Sequence, residues 1–270
     1  MPFTRNWLSS GKRAARRAGV TRARVASARM CCERTALAVR PRHAVRSRIL
    51  CYHSVGTPGW GVNDVTPARF ERQLRLALAD GWRFVPPSAI AEGSAGPGTL
   101  AVTFDDGVAS VLTGAAPILR ELDIPFAVFV VSDWSDGNHA FGEGTILGWR
   151  EVEALAAMGA EIGSHSVDHP NFRDLAPDQA AEQLEASRET IAARTGIDAR
   201  SFAIPFGQSG NWTFAASEAA ARTGYTALYA QAEETRFPGT VPRTFVTRFD
   251  GDRIFRAALG GAFDRWEEWF

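Results

Sequence analysis

The sequence is short of cysteine and has no long apolar segment. Only three cysteines occur among 270 residues, so no disulfide framework is assigned and nothing requires an oxidising compartment. The longest apolar run, residues 125–131, is far too short to span a membrane. No apolar stretch follows Arg16 and Arg17, as a twin-arginine export signal would require. We therefore favour the cytoplasm, although the localisation stays open.

Acidic residues are nearly absent from the N-terminal segment. Residues 1–48 contain thirteen of the thirty basic residues and one acid, Glu33, so the rest of the chain carries 17 basic and 29 acidic residues. Few large apolar residues occur in residues 1–47, and we expect a basic Arg/Ala-rich tail that is disordered or forms a loose surface helix. Contact of this tail with an anionic membrane or nucleic acid is a weaker alternative. No specific nucleic-acid binding is expected of the chain.

From residue 48 onward, short apolar segments alternate with segments of helical periodicity. The predicted strands lie at residues 48–53, 82–85, 99–104, 126–131, 161–164, 201–204, 226–230 and 244–247. One intervening helix begins with Thr66 as N-cap and Pro67 in its first turn, and it stops at Gly81. Such alternation predicts an α/β fold of parallel βαβ units, and seven or eight units favour a barrel. We expect one catalytic domain over residues 48–270.

Polar residues follow several predicted strands, at the end where parallel sheets and barrels place functional groups. His53 ends the first strand, Asp105 and Asp106 follow the third, and His165 and His169 follow the fifth. Taken singly, an aspartate here could cap a helix and a histidine could lie at the surface. Together, two imidazoles and one carboxylate form a ligand set suited to Zn²⁺. The second carboxylate is then free to take a proton from a metal-activated water, which predicts a hydrolase.

Three motifs, TFDDG, SHSVDHP and FAIPFG, occur in this order. They resemble the first three motifs of the polysaccharide deacetylases, the family 4 carbohydrate esterases. The similarity runs from about residue 48 to residue 243, and LCYHSV near its start resembles the branch linked to bacterial exopolysaccharide synthesis. The resemblance implies a distorted (β/α) barrel with seven or eight strands and a divalent metal, usually zinc. It also implies hydrolysis of N-acetyl, less often O-acetyl, groups on oligo- or polysaccharides.

The resemblance further implies a role for each motif residue. Asp105 is expected to be the general base. The expected metal ligands are Asp106, His165 and His169. Pro205 packs the site, and the backbone N–H of Phe206 is placed to stabilise the tetrahedral oxyanion. Trp149 stands where related sequences have an aromatic residue near the sugar groove, so we expect Trp149 and Pro205 to contact substrate. The alternative for Trp149 is an ordinary core position in its helix.

Two positions depart from the family pattern. The third motif usually begins with an arginine that pairs with the base, and here that position is Ala203. Arg243 could supply the cation from a neighbouring strand end, or it could form an unrelated salt bridge. The usual general acid is a late histidine, but no histidine follows His169. The proton for the departing amine is then left to Asp105 or to His53, for which a purely structural role is the alternative.

These departures keep a second class of function open. The chain could be a catalytically weak or inactive metal-containing protein that binds glycans. The complete Asp-Asp and His-x-x-x-His sets favour the enzyme. Acetate release from acetylated oligosaccharides would distinguish the two hypotheses.

Overall fold

Parallel strands form the centre of the structure, a computed structural model that describes residues 22–38 and 46–267. The strands are β1 (Arg48–Tyr52), β2 (Ser54–Val55), β3 (Asp64–Val65), β4 (Arg83–Phe84), β5 (Thr99–Phe104), β6 (Phe126–Val130), β7 (Glu161–Ser164), β8 (Ser201–Ala203), β9 (Ala227–Tyr229) and β10 (Thr244–Phe245). All but β2 and β3 belong to one sheet, in the order β10-β1-β5-β6-β7-β8-β9, with β4 beside the start of β5. All pairs of this sheet are parallel, as predicted.

The sheet curves until its two edges approach each other. The amide of Ala230 donates to the carbonyl oxygen of Val241 at 2.9 Å, and the amide of Val241 donates to Leu228 O at 2.7 Å. Because Val241 lies just before β10, these bonds join β9 to the segment that leads into β10. The predicted distorted (β/α) barrel with a single domain is therefore confirmed.

Small and aromatic side chains fill the inside of the barrel. Alternate residues of the strands form this inner cluster, which contains Ile49, Ala101, Ala127, Phe129, Ala203 and Tyr229. Gly163 belongs to the same layer, because a Cβ there would lie 2.5 Å from the ring of Phe129. The small members of this layer, Ala101, Ala127, Gly163 and Ala203, leave room inside the barrel for a larger side chain.

Helices surround the sheet, and one short helix, Pro87–Ala91, packs against the inner cluster. Within the described residues they are α1 (Arg22–Leu37), α2 (Pro67–Ala79), α3 (Pro87–Ala91), α4 (Ala116–Glu121), α5 (Ser132–Ser135), α6 (Trp149–Ala157), α7 (Pro177–Thr195), α8 (Phe214–Thr223) and α9 (Asp252–Leu259). The predicted capping is confirmed for α2, where Thr66 Oγ1 accepts from the amide of Arg69 at 3.4 Å. A left-handed glycine, Gly196, ends α7. Among these helices, none combines the length and the apolar character that spanning a bilayer would require.

Part of the basic N-terminal segment is a packed helix. Over Arg22–Leu37, where we expected disorder or a loose surface helix, the structure shows α1, and the side chain of Arg34 is completely buried. Ala38, just after α1, belongs to a small apolar cluster with residues of α9 and the C-terminal segment. Residues 1–21 and 39–45 of the predicted tail lie outside the described residues, so the boundary at residue 47 stays a prediction.

Candidate active site

The ends of neighbouring strands bring the predicted site residues to one rim of the barrel. Asp105 follows β5 and its amide donates to the carbonyl oxygen of Tyr52 at 3.0 Å. His165 follows β7 and its amide donates to Val130 O at 2.8 Å. These bonds continue the parallel ladders by one residue, and so the sheet itself fixes the starting points of both motifs.

Unusual backbone conformations concentrate at this rim. Five non-glycine residues in the described chain have a positive φ, and four of them lie here: Asp106 (68°), Ser166 (74°), His169 (62°) and Phe206 (64°). Such a conformation costs on the order of 1–3 kcal/mol and persists only where the surrounding structure enforces it. Concentrated strain of this kind is typical of functional sites.

Three side chains converge at the rim in a way that fits a metal ion. The Nε2 atoms of His165 and His169 lie 3.4 and 3.6 Å from Oδ1 of Asp106, and one ligand atom from each residue lies within 4.8 Å of the others. Four ligands at about 2.0–2.1 Å from a tetrahedral zinc are about 3.3 Å apart. The donor set and its spacing therefore fit a small divalent cation.

Two further hydrogen bonds orient these donors. His165 Nδ1 lies 2.8 Å from the carbonyl oxygen of Ala203, so Nδ1 carries a hydrogen and Nε2 is the ring nitrogen that faces Asp106. The other oxygen of Asp106, Oδ2, accepts from Nε1 of Trp60 at 3.0 Å. Partners of this kind hold metal ligands in a fixed orientation and tautomer.

The pKa values of the cluster reflect burial and the charges packed together. Burial and the neighbouring His165 lower the pKa of His169 to about 4, so this imidazole is neutral at pH 7. Burial alone would lower the pKa of His165, but Asp105 and Asp106 outweigh it and the pKa is raised. Burial alone would raise the pKa of Asp106, yet the three nearby histidines hold it below its usual range.

Asp105 faces the barrel interior instead of this cluster. Its two oxygens accept from Nη1 and Nη2 of Arg243 at 2.6 and 2.7 Å, and neither side chain is more than 2% exposed. Burial tends to raise the pKa of Asp105, but Arg243 and the histidines hold it below its usual range. Asp105 is therefore an ionised carboxylate, and Arg243 is the cation beside it, the first of the two alternatives for this arginine.

Arg243 occupies the space that the small inner residues leave. Its Nε donates to the carbonyl oxygen of Ala230 at 2.7 Å, and its guanidinium lies over the rings of Phe129 and Tyr229, at 5.4 and 5.8 Å. Ala203 belongs to the same inner layer. The guanidinium that the family resemblance expects at the position of Ala203 is thus supplied by Arg243, the residue before β10.

His53 is also next to Asp105. A ring nitrogen of His53, a carboxylate oxygen of Asp105 and Sγ of Cys51 all lie within 4.8 Å of one another, and Cys51 Sγ donates to Asp105 Oδ2 at 3.4 Å. Nδ1 of His53 is buried and has no partner among the described residues. Burial lowers the pKa of His53 more than Asp106 and Asp105 raise it. A buried, unpartnered nitrogen calls for a polar group from outside the protein, such as water or substrate.

The other predicted site residues are Trp149, Pro205 and Phe206. Trp149 Nε1 donates to Asp136 Oδ1 at 2.9 Å, and its ring packs against the main core. Neither contact involves Asp106, His165 or His169, and the expected substrate contact of Trp149 stays a prediction. Pro205 is buried at the end of β8, whereas the ring of Phe206 is 37% exposed and lies 4.7 Å from His169.

Three aromatic residues near the cluster were not predicted. Trp134 stacks on His169 with ring centroids 5.5 Å apart. Phe141 lies 5.0 Å from Trp134 and 4.8 Å from Trp60, and it is 39% exposed. These rings line one side of the cluster with apolar surface. Only their location in the short segments that follow strand ends could have pointed to them, because the conformation of such segments is not encoded in a periodic pattern.

The sequence pattern of the polysaccharide deacetylase family matches residues 92–228, just over half of the chain. Two similar proteins have informative names. YxkH of Bacillus subtilis (strain 168), by name a polysaccharide deacetylase, is 23% identical over 200 residues, 72% of this chain and 66% of its own length. A bifunctional xylanase/deacetylase of Pseudobutyrivibrio xylanivorans is 23% identical over 107 residues, 40% of this chain and 16% of its own. This chain spans less than two thirds of either relative.

Solved structures with the same fold cover most of the chain. The deacetylase PplD of Streptococcus pyogenes, solved in complex with acetate, superposes with a TM-score of 0.68 at 19% identity, over 80% of this chain and 99% of its own. IcaB from Ammonifex degensii superposes with a TM-score of 0.68 at 25% identity, over 80% of this chain and 98% of its own. Both superpositions support the barrel fold.

Proposed function

The chain belongs to the polysaccharide deacetylase family, and on this premise we propose that it hydrolyses acetyl groups on N-acetylated saccharides or exopolysaccharide with the help of Zn²⁺. O-acetyl groups are the lesser alternative. One observation carries the proposal: Asp106, His165 and His169 converge on one point, immediately beside a second carboxylate that is ionised and held by Arg243. A pure binding site would have no need of that second carboxylate.

The metal would be held by the three converging donors. Two imidazole nitrogens and one carboxylate oxygen suit zinc and leave coordination positions for water and substrate. When bound, such an ion lowers the pKa of water and polarises the carbonyl oxygen of an acetyl group. The hydrogen bond from Trp60 to Asp106 and the contact of His165 with Ala203 would keep the ligands in place.

Asp105 is proposed as the general base. Its carboxylate stays ionised because the positive charge of Arg243 stabilises the negative charge of Asp105. It can therefore take a proton from the water that attacks the acetyl carbonyl. Since both oxygens of Asp105 already accept from Arg243, this carboxylate is held back from the metal ligands. Its neighbour Asp106 is the one that binds the ion.

Phe206 is proposed to stabilise the charge that develops on the acetyl oxygen. Its left-handed backbone and its ring, 4.7 Å from that of His169, keep residue 206 at the rim of the cluster. We propose that its backbone N–H donates a hydrogen bond to the oxyanion of the tetrahedral intermediate, where such a bond is worth most. Pro205 fixes the turn that presents this amide.

His53 is proposed to deliver a proton to the departing nitrogen. The proton that Asp105 takes from water must reach the sugar nitrogen when the C–N bond breaks. His53 lies within 4.8 Å of Asp105 and has a buried ring nitrogen without a protein partner. It can therefore accept this proton and pass it on to the amine. This role would compensate for the absence of a histidine late in the sequence.

Acetate release tests the reaction and the base together. We expect the zinc-loaded protein to release acetate from chitooligosaccharides, acetylated glucosamine polymer or acetylated xylan. Asp105→Asn should lower turnover by about 10²–10⁴-fold and retain zinc. Asp123→Asn, at an exposed turn, is the matched control and should remain active. Full activity in Asp105→Asn would refute the base. Bound zinc without release from any substrate would instead favour the glycan-binding alternative.

His53→Gln tests the proton donor separately. This variant should bind zinc and keep the ion pair between Asp105 and Arg243, but turnover should fall by about 10²-fold or more. His139→Gln is its matched control, because His139 belongs to neither of the two clusters formed around Asp105 and Asp106. Equal turnover in the two variants would exclude His53 from proton transfer.

A further inference from the structure

Helix α1 is attached to β10 by one buried arginine. Arg34 is 0% exposed, and its Nε and Nη2 donate to the two oxygens of Asp250 at 2.6 and 2.5 Å. Nη2 also donates to the carbonyl oxygen of Phe245 at 3.0 Å. One guanidinium therefore joins α1 to both β10 and the loop that follows it.

Aromatic residues enclose this guanidinium. Its central carbon lies 4.3 Å from the ring of Phe263 and 5.2 Å from that of Trp266. Trp266 is nearly parallel to the ring of Phe245, at 6.4 Å, and its Nε1 donates to Glu33 of α1 at 3.2 Å. The charge of Arg34 is thus shielded from water, which makes its bonds to Asp250 stronger and their loss more costly.

Strand β10, which Arg34 holds at Phe245, and the residue just before it make two contacts with the proposed active site. Phe245 packs edge-on against His53, with ring centroids 5.7 Å apart, and Arg243, two residues earlier, pairs with Asp105. The strand has only two residues, paired with β1 at Leu50 and Cys51. So short a strand needs anchoring from outside its own ladder, and the bond from Arg34 provides it.

The loop after β10 is tied to the same region by a second route. Asp250 also accepts from the amide of Thr247 at 3.0 Å, and its carbonyl oxygen accepts from Nε2 of Gln73 at 2.7 Å. Gln73 in turn accepts from the hydroxyl of Tyr52 at 2.9 Å, the residue before His53. Displacement of Asp250 would therefore affect the surroundings of His53 both through Tyr52 and through Phe245.

We propose that α1 is part of the catalytic unit and that Arg34 is a positioning residue. By holding Phe245 and Asp250, it keeps Arg243 against Asp105 and Phe245 against His53. The segment lies outside the part of the sequence that resembles the family, so a domain cut at residue 48 would lose this anchor. The inference rests on the proposed function insofar as Asp105 and His53 are the groups that it positions.

The test compares Arg34→Met with Arg29→Met in the full chain loaded with zinc. Arg29 is on the same helix, but its ion pair with Glu33 is exposed and contributes little. We expect Arg34→Met to lower kcat by about 10- to 100-fold, because small displacements of catalytic groups have effects of this size. KM and zinc content should be unchanged, and Arg29→Met should match the wild type in all three. Assays are run well below the unfolding midpoint of every variant.

Two more variants keep the test decisive if Arg34→Met does not fold. Arg34→Lys retains the charge and one hydrogen bond, and it should fold with a kcat between those of the wild type and Arg34→Met. The double variant Arg34→Met/Asp250→Asn removes both buried charges but also the bond to Phe245, and its kcat should stay below the wild type. Wild-type kcat in the folded, zinc-loaded variants would overturn the proposal, even if their unfolding midpoints were lower.

A measurement without substrate separates this proposal from the proposed function. Nε–H of Arg243 is buried and bonded to Ala230, so its exchange with solvent should be slow and visible by NMR. Exchange should be faster in Arg34→Met and unchanged in Arg29→Met. If the wild type releases no acetate, the proposed function fails while this result still judges the anchoring. Unchanged exchange together with unchanged kcat rejects the anchoring alone.

Discussion

Asp105 and Asp106 are adjacent in sequence, but they belong to different surroundings. Asp105 is in the barrel interior, where both of its oxygens meet one guanidinium and the side chain is 2% exposed. Asp106 has a left-handed backbone and turns to two imidazoles and an indole at the rim, where its side chain is 12% exposed. The first carboxylate is neutralised by the protein itself. The second lies beside His165 and His169, and a bound cation would balance its charge.

This difference explains how two neighbouring carboxylates can both stay ionised. Two such groups normally raise the pKa of one member of the pair. Here Arg243 lowers the pKa of Asp105, and the histidines lower that of Asp106. The positive φ of Asp106 is what separates the two side chains, and aspartate tolerates that conformation better than most residues. The proposed base and the proposed metal ligand can therefore be adjacent residues.

The largest expected effect is a loss of stability on removal of Arg243, the cation paired with Asp105 in the barrel interior. Arg243→Met leaves Asp105 buried and unpaired, which should lower the free energy of unfolding by about 3–5 kcal/mol in urea denaturation with a chelator present. Arg243→Met/Asp105→Asn should recover most of this loss. As a control, Arg200→Met removes an exposed pair with Asp198 and should change the free energy of unfolding little, because exposed pairs are screened by water. Similar losses for Arg243→Met and Arg200→Met would mean that the buried pair has no special role.

Zinc affinity at the rim should depend on pH through one histidine, His165, and not through two. Without metal, the pKa of His165 lies above its usual value, whereas that of His169 is about 4. Zinc must displace the proton of His165, so affinity is complete above the pKa of His165 and falls below it. The decline should be about tenfold per pH unit. The measurement is zinc affinity by chelator competition from pH 5 to pH 8. Release of two protons per zinc between pH 5 and 6 would contradict this assignment.

A smaller effect should come from the indole beside Asp106. Trp60→Phe keeps the ring but removes the hydrogen bond to Oδ2, and zinc affinity should fall by about tenfold, as for other partners of metal ligands. Turnover at saturating zinc should change little. Trp134→Phe, which retains a ring beside His169, is the control and should bind zinc like the wild type. Equal affinities in the two variants would show that the hydrogen bond does not orient Asp106.

The barrel and the cluster were predictable because both depend on order along the chain. Apolar segments of four to six residues alternate with capped helices, and parallel strands bring their carboxyl ends together. Asp106, His165 and His169 therefore had to meet at one rim once the strand positions were right. The pairing of Arg243 with Asp105 was one of two alternatives, since sequence shows neither burial nor the small inner residues that admit a guanidinium.

Other features depend on contacts that leave no periodic signal. Helix α1 has no continuous apolar face, and it is attached through the buried side chain of Arg34 and the small cluster that includes Ala38, so its composition alone favoured disorder. Trp60 and Phe141 meet only because two loops fold toward each other. Trp149 Nε1 donates to Asp136, and the substrate contact that its motif position suggests stays a prediction.

Zinc content and acetate release of Asp105→Asn and Asp106→Asn, measured side by side, test the division of roles most directly. The account predicts that Asp106→Asn loses both zinc and activity. It predicts that Asp105→Asn keeps its zinc and loses activity. Loss of zinc in Asp105→Asn with retention in Asp106→Asn would contradict it, because the ligand and the base would then be exchanged.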